Sequence, residues 1–119
     1  MARVRQRGRP VAGVVKRGEV WLATLDPTIG SEIQKTRPCV VISPPEIHDF
    51  QRTVIVAPMT TAGHAAPYRV PLVFQRKRGL ILLDQLRTLD RSRLLSRLGK
   101  VSDATLLSTL RVLGELFAP

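Results

Sequence analysis

Proline and glycine divide this 119-residue chain into short apolar runs, and that punctuation constrains its fold more than any other feature. EVWLATL (19–25), RPCVVIS (37–43), RTVIVAPMT (52–60) and YRVPLVF (68–74) are rich in β-branched and aliphatic residues, which suit strands. The first alternates Val20, Leu22 and further core candidates with outward positions, as in a half-buried strand. Between the runs lie DPTIGSEIQKT and PPEIHDFQ, whose prolines and glycine stop regular structure. Pro71 confines the fourth run to a sheet edge or a bulge. QRKRG (75–79) reads as a basic turn, LILLDQLRTLD (80–90) as one strand that becomes polar at its end, and LSRLGKVS (95–102) as a last short strand.

The period then changes. Leu106, Leu110, Leu113 and Phe117 recur three or four residues apart, with Leu107 and Leu116 beside them, so an amphipathic helix capped by Ser102 or Asp103 ends the chain. Many short strands followed by one helix predict a mainly β domain, a small antiparallel barrel closed by a packed terminal helix. One domain is expected at this length, spanning 16–119, after a basic, flexible tail at 1–15.

Charge narrows the partners. Nineteen Lys and Arg against nine Asp and Glu give +10, which favours polyanions or acidic proteins. Six of the bases fall in the first 17 residues, so the remainder carries 13 bases against 9 acids, about +4. Cys39 is the single cysteine, expected as a small core residue in a reducing, cytoplasmic setting, and no run is long enough to span a membrane. Two histidines and one cysteine without paired spacing do not make a zinc site, and neither glycine-rich phosphate motif occurs, so neither metal nor cofactor is expected. The polar residues that remain sit where strands end: Glu32, Lys35 and Arg37; Thr60 and Thr61; Asp84, Gln85 and Arg87. Either one rim gathers them, or they are ordinary strand termini making surface ion pairs. Phe50 and Tyr68 read as core or edge packing, with base stacking as the alternative.

Three blocks in order resemble the MazF/PemK family of toxin endoribonucleases: RGEVWLATLDPTIGSEIQKTRPCVVISP, VIVAPMTT and LLDQLRTLDRSRL. The resemblance covers roughly residues 16–117. It implies an SH3-like β-barrel with a C-terminal helix, homodimeric, that cleaves single-stranded RNA without a metal and is inhibited by a cognate acidic antitoxin. Arg37 matches the family's catalytic arginine and Thr60 its hydroxyl residue. Glu32, the acid of the first block nearest Arg37, would activate the ribose 2′-hydroxyl or hold Arg37 in place. Ser31, Lys35, Thr61, Asp84, Gln85 and Arg87 would contact RNA or shape the site. Ser31 and Leu82 stand where one plasmid-borne branch carries histidine and arginine, so a histidine-assisted mechanism is not expected, although Asp84 is retained. Two other readings compete: a CcdB-like gyrase poison that cleaves nothing, and a non-catalytic RNA-binding barrel.

Overall fold

The computed structural model describes residues 14–25, 36–45 and 52–119. Among the described residues are seven strands and a terminal helix: β1 (Glu19–Thr24), β2 (Thr36–Val41), β3 (Thr53–Thr60), β4 (Arg69–Phe74), β5 (Lys77–Leu82), β6 (Arg87–Asp90), β7 (Leu94–Lys100) and α1 (Asp103–Leu116). They form one curled antiparallel sheet in the order β4-β5-β3-β2-β1-β7, with β6 also paired to β3. The expected mainly β architecture with a terminal helix is what is found, and β4, carrying Pro71, ends the sheet.

β3 is the hub. One edge pairs with β2, setting Cys39, Val40 and Val41 against Pro58, Ala57 and Val56. The other edge serves two strands in turn, β6 at Thr53–Val56 and β5 at Met59–Thr60. Pro58 lies in the gap between those two pairings, so its missing N–H removes no ladder bond on that edge.

β1 differs from the half-buried strand expected. Trp21, Ala23 and Leu25 enter one core with Cys39, Val54 and Leu94. Val20 enters a second core with Val40, Met59, Val70 and Ile81, against which Leu106, Leu110 and Leu113 of α1 pack. A central strand of a curled sheet roofed by a helix has no solvent face, so alternation in sequence separates two cores. Leu22 is only half-buried, and Phe117 and Leu107, on the apolar pattern of the helix, are exposed. Ser102 is the helix cap, its hydroxyl accepting from Thr105 N–H at 3.1 Å. Val15, within the expected tail, is buried in the first core, so packing begins there.

Two other boundaries move. The turn after β4 is only Gln75–Arg76, with φ of 51° and 68°, and β5 resumes at Lys77. Positive φ at both central residues matches the right-handed twist of a tight hairpin, so the charged residues continue the strand. LILLDQLRTLD is not one strand, because a 3-10 turn at Leu83–Gln85 separates β5 from β6. Ile81, Leu82 and Leu83 are all buried, and turning the chain at Leu83 places that third apolar side chain in the second core.

Glu19 ties β1 to β7. Its carboxylate is buried and accepts from Lys16 N–H at 2.9 Å, Trp21 Nε1–H at 3.1 Å and Arg97 Nε–H at 2.9 Å. Burial pushes the carboxyl pKa up, but these hydrogen bonds outweigh it and hold it below the ordinary 4.5. A depressed carboxyl contributes stability above its ordinary pKa and loses it as pH falls through the folded value. Glu19→Gln is therefore expected to cost about 1–3 kcal/mol at neutral pH, because it leaves Arg97 without its charged partner. The deficit should shrink as pH falls from 4.5 through the lowered folded value, where wild-type Glu19 takes up its own proton. Urea unfolding followed through the emission of Trp21, the single tryptophan, measures both.

Candidate active site

Arg37 is the second residue of β2 and Thr60 the last of β3. The β2–β3 ladder ends at Cys39 and Pro58, and Arg37 and Thr60 lie two residues beyond that pair, at the same end of the two strands. Both border a groove of about 190 Å³, whose rim also carries Thr61, Lys77 and Arg78. Its apolar floor comes from Met59, Leu72, Phe74 and Leu98. Among the described residues, three cations and no carboxylate line it, and none of the three cations is in an ion pair. Such a surface attracts an anion.

Local contacts fix the rim. The Thr60 hydroxyl oxygen accepts from Ala62 N–H at 3.1 Å, which leaves its own proton for a ligand oxygen. Gly79 allows β5 to reach Thr60, since a Cβ there would stand 2.8 Å from the Thr60 carbonyl oxygen. Arg37 emerges from a strand anchored by the buried Cys39, Val40, Val41 and Ile42. Burial pushes the Cys39 thiol up to about 12, against a smaller opposing effect of Arg87, so it stays protonated and serves packing.

Of the residues singled out from sequence, Arg37, Thr60 and Thr61 come together in this groove. Asp84, Gln85 and Arg87 lie elsewhere. Asp84 accepts from Arg69 Nε at 3.2 Å and Arg69 Nη2 at 3.0 Å, a two-pronged pair. Arg69 also donates to the His64 carbonyl at 3.2 Å and lies 5.8 Å over the Tyr68 ring, so the pair braces the 61–68 loop. Gln85 closes the 3-10 turn, and Arg87 donates to the Leu25 carbonyl at 2.9 Å. Ser31, Glu32, Lys35 and Phe50 lie outside the described residues. The sequence reading missed Lys77, Arg78 and Gly79 as site residues. QRKRG was visible as a charged cluster, but its place beside Arg37 depends on β5 pairing with β3, a non-local contact. Among the described residues no three His, Cys, Asp or Glu side chains gather.

A small curled antiparallel sheet closed by a helix, with a cationic, hydroxyl-bearing groove at the ends of two central strands, defines a small β-barrel protein with a groove suited to an anion. More particularly, the chain belongs to the PemK-like, MazF-like toxin family of type II toxin-antitoxin systems, whose pattern matches residues 16–117. It is 40% identical over 81 residues to Endoribonuclease PemK of Escherichia coli, a match covering 64% of this chain and 61% of that protein, under two thirds of its length. The crystal structure of MazF (Form-I) from Deinococcus radiodurans superposes with a TM-score of 0.76 at 28% identity, covering 87% of this chain and 96% of that one. An endoribonuclease in complex with its cognate antitoxin, from Mycobacterial species, shares the fold at TM-score 0.75 and 22% identity over 89% and 98% of the two chains.

Two glycines give opposite expectations. Gly79→Ala should destabilise by about 1–3 kcal/mol, because the added methyl must displace the Thr60 backbone. Gly114→Ala, in α1 with nothing within 4 Å of the new Cβ, should stabilise by about 0.5–1 kcal/mol. Urea midpoints of the two variants against wild type measure the contrast.

Proposed function

We propose that this chain is the toxin of a toxin-antitoxin pair and a metal-independent endoribonuclease of single-stranded RNA, in the cytoplasm. The observation that carries the reading is the groove in which Arg37 and Thr60 meet with Lys77 and Arg78, with no acid among its described lining residues. Family membership and the likeness to Endoribonuclease PemK support it.

In the reaction proposed, the ribose 2′-oxygen attacks the adjacent phosphorus in line and the 5′-oxygen leaves. The 2′-hydroxyl loses its proton, the 5′-oxygen gains one, and no water is consumed. The products are a 2′,3′-cyclic phosphate and a 5′-hydroxyl. Arg37, always charged, offers a planar fork of donors to the phosphorane oxygens as negative charge builds there. It is also the group beside the leaving oxygen that can donate a proton. Thr60 donates its hydroxyl proton to a non-bridging oxygen, and Thr61, Lys77 and Arg78 hold the flanking backbone. Glu32 has two roles open to it, taking the 2′ proton or orienting Arg37. Asp84, with both oxygens engaged by Arg69, suits a bracing role better than proton transfer. Gln85, Arg87, Ser31 and Lys35 remain proposed RNA-contacting residues. The partner proposed is an acidic antitoxin segment that covers the cationic groove and orders on binding, and the active form is a homodimer.

Incubation of the purified chain with single-stranded RNA in EDTA, followed by end mapping, tests this. Wild type should leave cyclic-phosphate and 5′-hydroxyl ends. Arg37→Ala and Thr60→Ala should each lose about 10²–10³-fold in rate while Trp21 emission reports an intact fold. Intact RNA, or cutting that needs Mg²⁺, sinks the reading. Gyrase poisoning without RNA cleavage would favour the CcdB-like alternative.

A further inference from the structure

The β1–β7 ladder slips at two places, between Val20 and Trp21 and between Leu22 and Ala23, and the first of these lies beside the groove. Val20 pairs with Gly99 but the next residue, Trp21, pairs with Arg97, so Leu98 is an extra residue on β7. A bulge of this kind takes one residue out of the ladder and re-aims its groups. The Leu98 carbonyl accepts from Gln75 Nε2 at 3.2 Å, and its side chain reaches the floor of the groove. Gly99 completes the arrangement. A Cβ on it would come 3.3 Å from Phe74 Cζ, so the aromatic ring lies directly against the β7 backbone.

These contacts build a surface with two parts. Phe74 and Leu72 provide a flat apolar wall, while Gln75, the first residue of the tight hairpin turn, stands at its edge. With one Nε2 proton committed to Leu98, the Gln75 amide is held in orientation and presents Oε1 and its second Nε2 proton outward. Arg37 and Thr60 border the same groove, and Lys77 and Arg78 follow Gln75 along the hairpin. The volume, about 190 Å³, is below the ~300 Å³ at which drug-sized pockets begin, and suits one planar heterocycle.

We propose that this end of the groove is a base-recognition pocket, in which Phe74 stacks a base flanking the cleaved bond and Gln75 reads that base's edge. The inference rests on the RNA-cleavage reading and adds the residues that select the sequence. Stacking on an aromatic ring is available to every base and gives affinity without choice. A fixed amide offers one acceptor and one donor at set positions, so bases with a mismatched edge leave it unpaired. The charges around the pocket fit an uncharged ring attached to a polyanion. The bulged residue Leu98 supplies the carbonyl that orients Gln75.

The test uses the full chain and an RNA library randomised on both sides of the cleaved bond, with product ends sequenced. Wild type should enrich one base at an adjacent position. Gln75→Leu, at an exposed site that folding does not depend on, should lower that enrichment by about tenfold. Phe74→Leu should weaken it as well, whereas Arg76→Gln, at the hairpin tip outside the groove lining, should keep it. The enrichment is a ratio among products, so it is independent of overall rate. Unchanged base frequencies in folded Gln75→Leu and Phe74→Leu proteins would overturn the proposal, even where cutting slows uniformly. Unchanged frequencies with an altered oligomeric state in Phe74→Leu would assign the pocket to contact between copies, and would also overturn it. Wild type that cuts no RNA is a different result, since it defeats the RNA-cleavage reading itself.

Discussion

Everything in the described fold depends on how β3 divides its hydrogen bonds. One edge belongs to β2, and the other is shared by β6 and β5 in succession, with Ala57 and Pro58 at the changeover. The pairing with β2 brings Arg37 and Thr60 to the same end of the two strands. The division also brings the β4–β5 hairpin to the end of β3, so that charges from residues 77 and 78 stand beside a strand that ends at residue 60. A one-residue slip would turn every alternating side chain to the other face. Burial on both sides guards against it, because Val54 and Val56 lie in one core and Ala57 and Met59 in the other.

The same architecture explains the distribution of charge. Three of the acids in the described residues are engaged by arginines: Glu19 by Arg97, Asp84 by Arg69 and Asp90 by Arg52. Arg17, Arg87 and Arg93 donate to main-chain carbonyls of Ile42, Leu25 and Thr24. These bases brace strands and loops. The cations of the groove have no such engagement among the described residues. Net charge alone would not locate them, because several other basic residues are used structurally.

Local pattern was enough for most of the strands and for the helix and its cap, and it marked Arg37 and Thr60 as polar residues at strand ends, which line one groove. It failed where tertiary contacts decide. β1 reads as alternating because period-2 hydrophobicity looks the same whether the second face meets water or a helix-covered core. The break at Leu83 has no proline or glycine to announce it, and follows from three successive apolar side chains that must all be buried. The tight turn at Gln75–Arg76 lacks the glycine that ordinarily marks positive φ, which hid the hairpin's length. Lys77 and Arg78 became site residues through a strand pairing made by only two residue pairs between β3 and β5. No local signal carries that information. Asp84 illustrates the converse, because its partner Arg69 lies 15 residues away and braces a loop.

The site's parts differ in how firmly they are held, and the difference bears on how such a protein could change its target. Arg37 and Thr60 project from neighbouring strands rooted in two buried cores, and Gly79 fixes the approach of the third strand. Transition-state stabilisation requires that rigidity, because donors must already be in place when charge develops. Gln75 instead sits in an exposed hairpin turn, and Phe74 on the edge strand, packed against the margin of the second core. In the reaction proposed, chemistry and base selection therefore fall on separate elements that meet across one groove. Changes at the hairpin or at the Leu98 bulge could alter which base is accepted while the phosphate-binding pair keeps its geometry. The constraint between them is the Gln75–Leu98 hydrogen bond, so covariation between hairpin sequence and bulge position is the cost of that freedom.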